Sequence, residues 1–462
     1  MSTVGKTAAV YGCLFLLMIG SASGAEFLEH VTENRLPNGL KVILLENHKS
    51  PTVTFQVWYR AGSRNDPWGK TGLAHVFEHL MFKGTPNVSK EDFTRRIEAI
   101  GGNFNAFTSH DYAAYFENAA VDHLEVPIFL EADRMANLVF TEAEFQTEKM
   151  VVMEERRLRT QDQPKAFLME QVAAVAFQAQ PYHWPVIGWM GDLNRIDFHD
   201  GLAFYKKYYD PANAFIVAVG DFQKDRILAA ISKRFGGLPM SEVPENYRYQ
   251  DPPQMGPRQV IVSREAALPF AVIGYHVPNL SEPDGYVLEV LSAILSGGRS
   301  ARIYENLVRG KRVAISAGAS YSFLSADPPL FYLYAEPLPG KGAEEVKKAL
   351  TEEINKLQET RVSDRELEKA KNQLEAAFIF GQDSFFFQGM LLARYEIASS
   401  WKDIRKYIPM IRAVSVDDIR RVARTYFQTR NRTVGLLIPE KYEEGGENAP
   451  NRKPAERSGG KQ

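Results

Sequence analysis

The chain has 462 residues, 45% hydrophobic and 24% charged, with a formal net charge of −2, a globular composition long enough for two domains. So even a charge balance lacks the electrostatic footprint of a nucleic-acid binder. Beyond residue 25 no run is long and apolar enough to span a bilayer.

The first 25 residues read as an export signal. Lys6 supplies the positive start, Ala8 to Gly20 the apolar core, and Ser23-Gly24-Ala25 a small-residue cleavage site before Glu26. Cleavage there would remove Cys13, the only cysteine, leaving a mature protein with no disulfide and no stable membrane anchor. The expected location is outside the cytoplasm, periplasmic in a Gram-negative bacterium and otherwise secreted.

The next strong element is the helix that follows Gly72, in which His75 and His79 stand four residues apart with Glu78 between them. At about 100° per residue the two imidazoles share one face and can grip one ion. Neutral imidazoles suit Zn²⁺, which takes three protein ligands when catalytic, and a carboxylate beside it can act as general base on water. The pattern H-x-x-E-H is an inverted form of H-E-x-x-H. Around it lie Leu73, Ala74, Val76, Phe77, Leu80, Met81 and Phe82, with Thr71 as the expected N-cap and Gly84 and Pro86 as the stop.

Gly101-Gly102 ends a further helix. A strand from Asn103 to Thr108, a polar break at His110-Asp111 and a partner strand from Tyr112 to Glu117 then read as a hairpin. The segment Glu144 to Arg156 reads as a helix in which Glu148 and Glu155 lie two turns apart on one face. By position alone Glu154 and Glu155 compete to be the third ligand. In Pro181-Tyr182-His183-Trp184-Pro185, His183 reads as a packing or hydrogen-bonding histidine.

Two markers recur further along. The segment Trp58 to Gly62 and the helix from Gly72 correspond in order to Ile273 to Val277 and the helix from Gly285, Gly285 lying 213 residues after Gly72. Asn213, between a helix and a strand, corresponds to Asn431, 218 residues on. Nearly equal offsets point to two copies of one fold. The second copy has Leu288, Leu291 and Ser292 where the first has His75, Glu78 and His79, so it holds no metal. Between the copies, residues 238–258 carry five prolines and read as an extended linker. Ser363 and Ser415 read as later helix caps. The expected fold class is α+β: two homologous domains from a degenerate duplication, residues 26–237 and 259–442, each a mostly antiparallel β-sheet covered by α-helices. The tail 443–462 reads as disordered.

H-x-x-E-H followed by E-x6-E, whose second glutamate falls 76 residues after His79, resembles the pitrilysin family of inverzincins, which includes insulin-degrading enzyme and the mitochondrial processing peptidases. The resemblance implies a zinc endopeptidase acting on peptides or unfolded segments, with Glu155 as third ligand and Glu148 as a nearby supporting group. It implies that Gly101 to Thr108, similar to the family's G-G-x-x-N-A-x-T, is an edge strand holding substrate through Asn105 and Ala106 by strand addition. Family members often add an arginine and a tyrosine, spaced R-x6-Y. Here the arginine is Arg309, but Ser316 stands at the tyrosine position, or Ile315 if one residue is deleted. The family chamber has four domains where this chain has two. That implies a dimer with a related partner chain lacking zinc ligands, or a homodimer using another phenol such as Tyr321. Two other readings are a noncatalytic assembly subunit, which would tend to lose the metal residues kept here, and a peptide-binding module with structural zinc, which would want a fourth protein ligand.

Overall fold

The computed structural model describes residues 26–245 and 247–440; the expected export signal and the tail from 443 lie outside them. Among the described residues no helix is long and apolar enough to cross a membrane.

Six strands build the first sheet: β1 (Val31–Arg35), β2 (Lys41–Glu46), β3 (Thr52–Tyr59), β4 (Asn103–Thr108), β5 (Ala113–Ala120) and β6 (Ala214–Gly220), in the order β1-β2-β6-β3-β5-β4. Five build the second: β7 (Arg258–Glu265), β8 (Phe270–His276), β9 (Ala314–Ser320), β10 (Leu330–Pro337) and β11 (Arg432–Glu440), in the order β7-β11-β8-β10-β9. With β1 set aside, the two orders are the same. Each sheet is antiparallel except for one pair, β2 with β6 and β7 with β11. This is the α+β arrangement that the residue pattern implies.

The repeated asparagines have a common task. Asn213 donates to Tyr208 O (2.9 Å) and Asn431 to Tyr426 O (2.8 Å), while the same amides reach back to Arg60 O (3.5 Å) and His276 O (2.9 Å), at the ends of β3 and β8. Each closes the end of a helix onto the sheet. Ser363 and Ser415 cap their helices as expected, accepting from Glu366 N and Asp418 N.

The two halves exchange helices. Pro164–Ala176, from the first half, packs on β7, β8 and β11, and Phe385–Ala398, from the second, packs on β3 and β6. Both crossings are close. A Cβ on Gly435 would lie 2.4 Å from Val172, and one on Gly389 2.6 Å from the Gln56 amide. One continuous core therefore joins Trp58 and Phe215 of the first sheet to Tyr275 and Phe331 of the second.

Residues 238–245 and 247–257 have no regular structure but are held firmly. Tyr247 O accepts from Arg64, Arg248 donates to Ala326 O and Ala398 O, and Tyr249 N donates to Asp327.

The second copy of the metal helix, Pro283–Ser296, buries Leu288 and Leu291 completely. Beside them, burial pushes the Glu289 carboxyl up to about 7, against a small opposing effect of the Tyr407 hydroxyl, 3.5 Å away, and of Arg394. A carboxyl raised in the folded state holds a proton that the unfolded chain has already lost. Its contribution is therefore present below about pH 4.5 and lost as pH rises towards 7, by about 3 kcal/mol. Glu289→Gln should accordingly gain stability over wild type between those pH values. Urea midpoints at pH 4.5, 6 and 8 check it; a constant difference would refute the assignment.

Candidate metal centre

His75, Glu78 and His79 sit on the short helix Leu73–Leu80, which buries Leu73, Ala74, Val76, Phe77 and Leu80 and turns its polar face outward. Its N-terminus corrects the expected cap. Gly72, at φ 97°, holds the cap position, and the carboxylate of Asp66 accepts from Gly72 N (2.7 Å) and Ala74 N (2.9 Å). The Thr71 hydroxyl instead donates to Asp192 (2.7 Å). Asp66 carries no spacing signal that would have marked it.

The third partner arrives on the neighbouring helix Glu142–Arg156. Glu155 Oε1 lies 3.9 Å from His75 Nε2 and Oε2 lies 3.6 Å from His79 Nε2. The ligand atoms of the three residues all lie within 4.8 Å of one another. A tetrahedral ion with bonds of about 2.0 Å needs ligand separations of roughly 3.3 Å, so a small closing movement suffices. Two imidazoles and a carboxylate, with a fourth direction left open, fit Zn²⁺. The next residue, Arg156, is buried and pairs both its terminal nitrogens with Glu170 at 2.8 Å, pinning this end of the helix to Pro164–Ala176. Glu154 turns the other way, exposed and paired with Arg157 at 2.8 Å.

Glu148 does not reach the cluster's centre. It lies 3.2 Å from His79 Nδ1 on one oxygen and 2.6 Å from Lys83 Nζ on the other. It can thus fix the ring so that Nε2 faces inward. The hydrogen bond with His79, helped by Lys83, holds Glu148 down at about 2. Lys83, one turn beyond His79, went unread in the sequence although its spacing could have suggested it.

The electrostatics favour deprotonated ligands. Burial, then His79 and Arg159, lowers His75 to about 3, keeping its ring neutral. Burial would also lower His79, but Glu148, Glu78 and Glu155 together raise it; a cation between the rings competes with that proton. Burial raises the Glu78 carboxyl, with Thr108 and His79 pulling the other way.

Strand β4 lies at the sheet's outer edge, pairing Asn105 with Phe116 and Ala106 with Tyr115 on its one occupied side. Asn105 shares a cavity of about 280 Å³ with Glu78, His79 and Glu148. Four of the remaining sequence expectations meet different ends. His183 packs between Trp68 and Trp184, with ring centroids 5.0 and 4.9 Å away. The break at His110-Asp111 is also a junction between the halves, Asp111 accepting from Tyr182 (2.6 Å) and Ala326 N (3.1 Å). Arg309 is not brought to the cluster: it is 74% exposed and pairs with Glu305 on its own helix. Tyr321 is no free phenol, since its hydroxyl donates to Pro278 O at 2.6 Å in a largely buried setting.

Comparison with known proteins sets this geometry among zinc proteases. Residues 41–188 match the insulinase family (peptidase family M16) and residues 195–374 the peptidase M16 inactive domain. The chain is 32% identical to the zinc protease PqqE of Helicobacter pylori, over 92% of this chain and 97% of that one. It is 25% identical to an uncharacterized zinc protease of Rickettsia felis, over 87% and 96%. Among solved structures, a protease from Helicobacter pylori superposes with a TM-score of 0.85 at 32% identity, covering 88% of this chain and 99% of that one. The periplasmic protease PqqL from Escherichia coli shares the fold at a TM-score of 0.74 and 17% identity, over 89% of this chain and 48% of that one.

Proposed function

Because the chain belongs to peptidase family M16, the insulinase family, we propose that it is an exported zinc-dependent endopeptidase that cleaves peptides or unfolded segments. The observation that supports this best is the convergence of His75, His79 and Glu155 within 4.8 Å, with Glu78 on the helix that carries both histidines. Zn²⁺ held by these three would polarise the scissile carbonyl and acidify the attacking water. Glu78 takes the proton from that water and passes it to the leaving amine, a role suited to a carboxylate whose proton affinity burial has raised. Glu148 holds the His79 ring. The free edge of β4 pairs with an extended substrate at Asn105 and Ala106, giving affinity through backbone bonds with little demand on sequence. Export rests on the pattern of the first 25 residues. Purified protein should carry about one zinc per chain and cleave an unfolded protein, losing activity on chelation and regaining it with Zn²⁺. Turnover that survives complete metal removal would refute the reading.

The second half suggests how the enzyme assembles. Ser316 stands in place of a phenol, Tyr321 is engaged with Pro278 O, and Arg309 faces solvent. The chain is therefore proposed to act as the metal-bearing member of a dimer with a related chain that supplies the missing phenol, and alone it should be slower by about 10²- to 10³-fold. Sizing, and assay alone and with candidate partners, test this; full activity from a monomer would refute it.

A further inference from the structure

We propose that the cleft between the two halves, just past the end of β4, is a subsite for an acidic side chain of the substrate, with Arg394 as the group that recognises it. The inference rests on the peptidase reading above. The cleft, of about 260 Å³, is lined by Ser109 and Tyr112 from the β4–β5 turn, by Ser322 and Leu324 from the loop after β9, and by Arg394. Along the chain it follows directly on β4, since Thr108 is the last residue of that strand and Ser109, the next, already lines the cleft.

Charge distinguishes Arg394 from its neighbours. At the same junction Arg60 pairs with Glu396, Arg64 with Asp327, and Arg248 with two carbonyls. Arg394, on the helix Phe385–Ala398, is exposed and has no hydrogen bond or ion pair among the described residues. The carboxylate that lines the cleft, Asp111, already accepts from Tyr182 and Ala326 N. Glu289 interacts with Arg394 through its charge alone, with no hydrogen bond or ion pair between them, and burial raises its carboxyl to about 7. A free guanidinium among hydroxyls, open to water on one side, is suited to a carboxylate that arrives with a ligand.

The strand direction gives the position. A peptide added antiparallel to β4 runs from Thr108 towards Asn103, and its reacting bond lies beside Glu78 and Asn105. Residues that continue past Thr108 into the cleft are then those on the N-terminal side of the cleaved bond. The acidic residue belongs there.

The test is a set of fluorogenic peptides with one core and Glu, Gln or Lys placed in turn at each position N-terminal to the cleaved bond. They are assayed with wild type, Arg394→Gln and Arg394→Glu. At one position wild type should cleave the Glu peptide with kcat/KM about tenfold above the Lys peptide. Arg394→Gln should flatten the preference and Arg394→Glu invert it, while circular dichroism and thermal unfolding of both variants match wild type and so report intact folding. An unchanged ranking in Arg394→Glu, or no charge preference at any position, would overturn the subsite. Should wild type cleave none of the peptides, the peptidase reading fails separately. The subsite is then judged by fluorescence anisotropy on the same labelled peptides: tighter binding of Glu than Lys, reversed in Arg394→Glu, upholds it, and equal binding overturns it.

Discussion

Glu78→Gln is expected to lower peptide turnover by about 10²- to 10⁴-fold or more, with zinc content and thermal unfolding unchanged. The amide keeps the shape of the side chain but cannot accept the proton of the attacking water. Glu78 is not one of the converging ligand set, so metal binding is untouched by its loss. Folding is equally insensitive, because the helix is anchored by Leu73, Val76, Phe77 and Leu80 beneath and by Asp66 at its start. Steady-state kinetics beside metal analysis of the same preparation check it. Turnover near wild type in a zinc-loaded variant would remove Glu78 from the reaction.

How much of this could be read in advance depended on distance along the chain. The H-x-x-E-H face was legible because helical period puts His75 and His79 together without any tertiary information. The duplicated fold was legible because Asn213 and Asn431 repeat a helix-to-strand closure that needs an amide in both copies. The swap of Pro164–Ala176 and Phe385–Ala398 between sheets was not, since periodicity tells which face of a helix is apolar and not which sheet it covers. Asp66 was missed for a related reason. Its bond to Gly72 N depends on a left-handed glycine, and Thr71, a better cap on paper, is diverted to Asp192, 121 residues away. The polar pair His110-Asp111 looked like a turn and is one, yet Asp111 is also a half-buried acceptor between halves.

The choice between two adjacent carboxylates yields the other large effect. Glu155→Gln should lower zinc affinity by more than about 10²-fold, beyond what loss of a supporting group costs, while Glu154→Gln should leave it nearly unchanged. Adjacent helix positions differ by about 100°, so only one of the two can face the histidines. Glu155 sets its two oxygens 3.9 Å from His75 and 3.6 Å from His79, and Arg159 also touches it at 2.5 Å. Glu154 is more than half exposed and engaged with Arg157. Turning Glu154 inward would require rotating the helix, which the buried pairing of Arg156 with Glu170 resists. Lost affinity should appear as zinc released on dialysis from Glu155→Gln, with Glu154→Gln retaining it like wild type. Equal retention by both variants, or the reverse order, would assign the third ligand to another group.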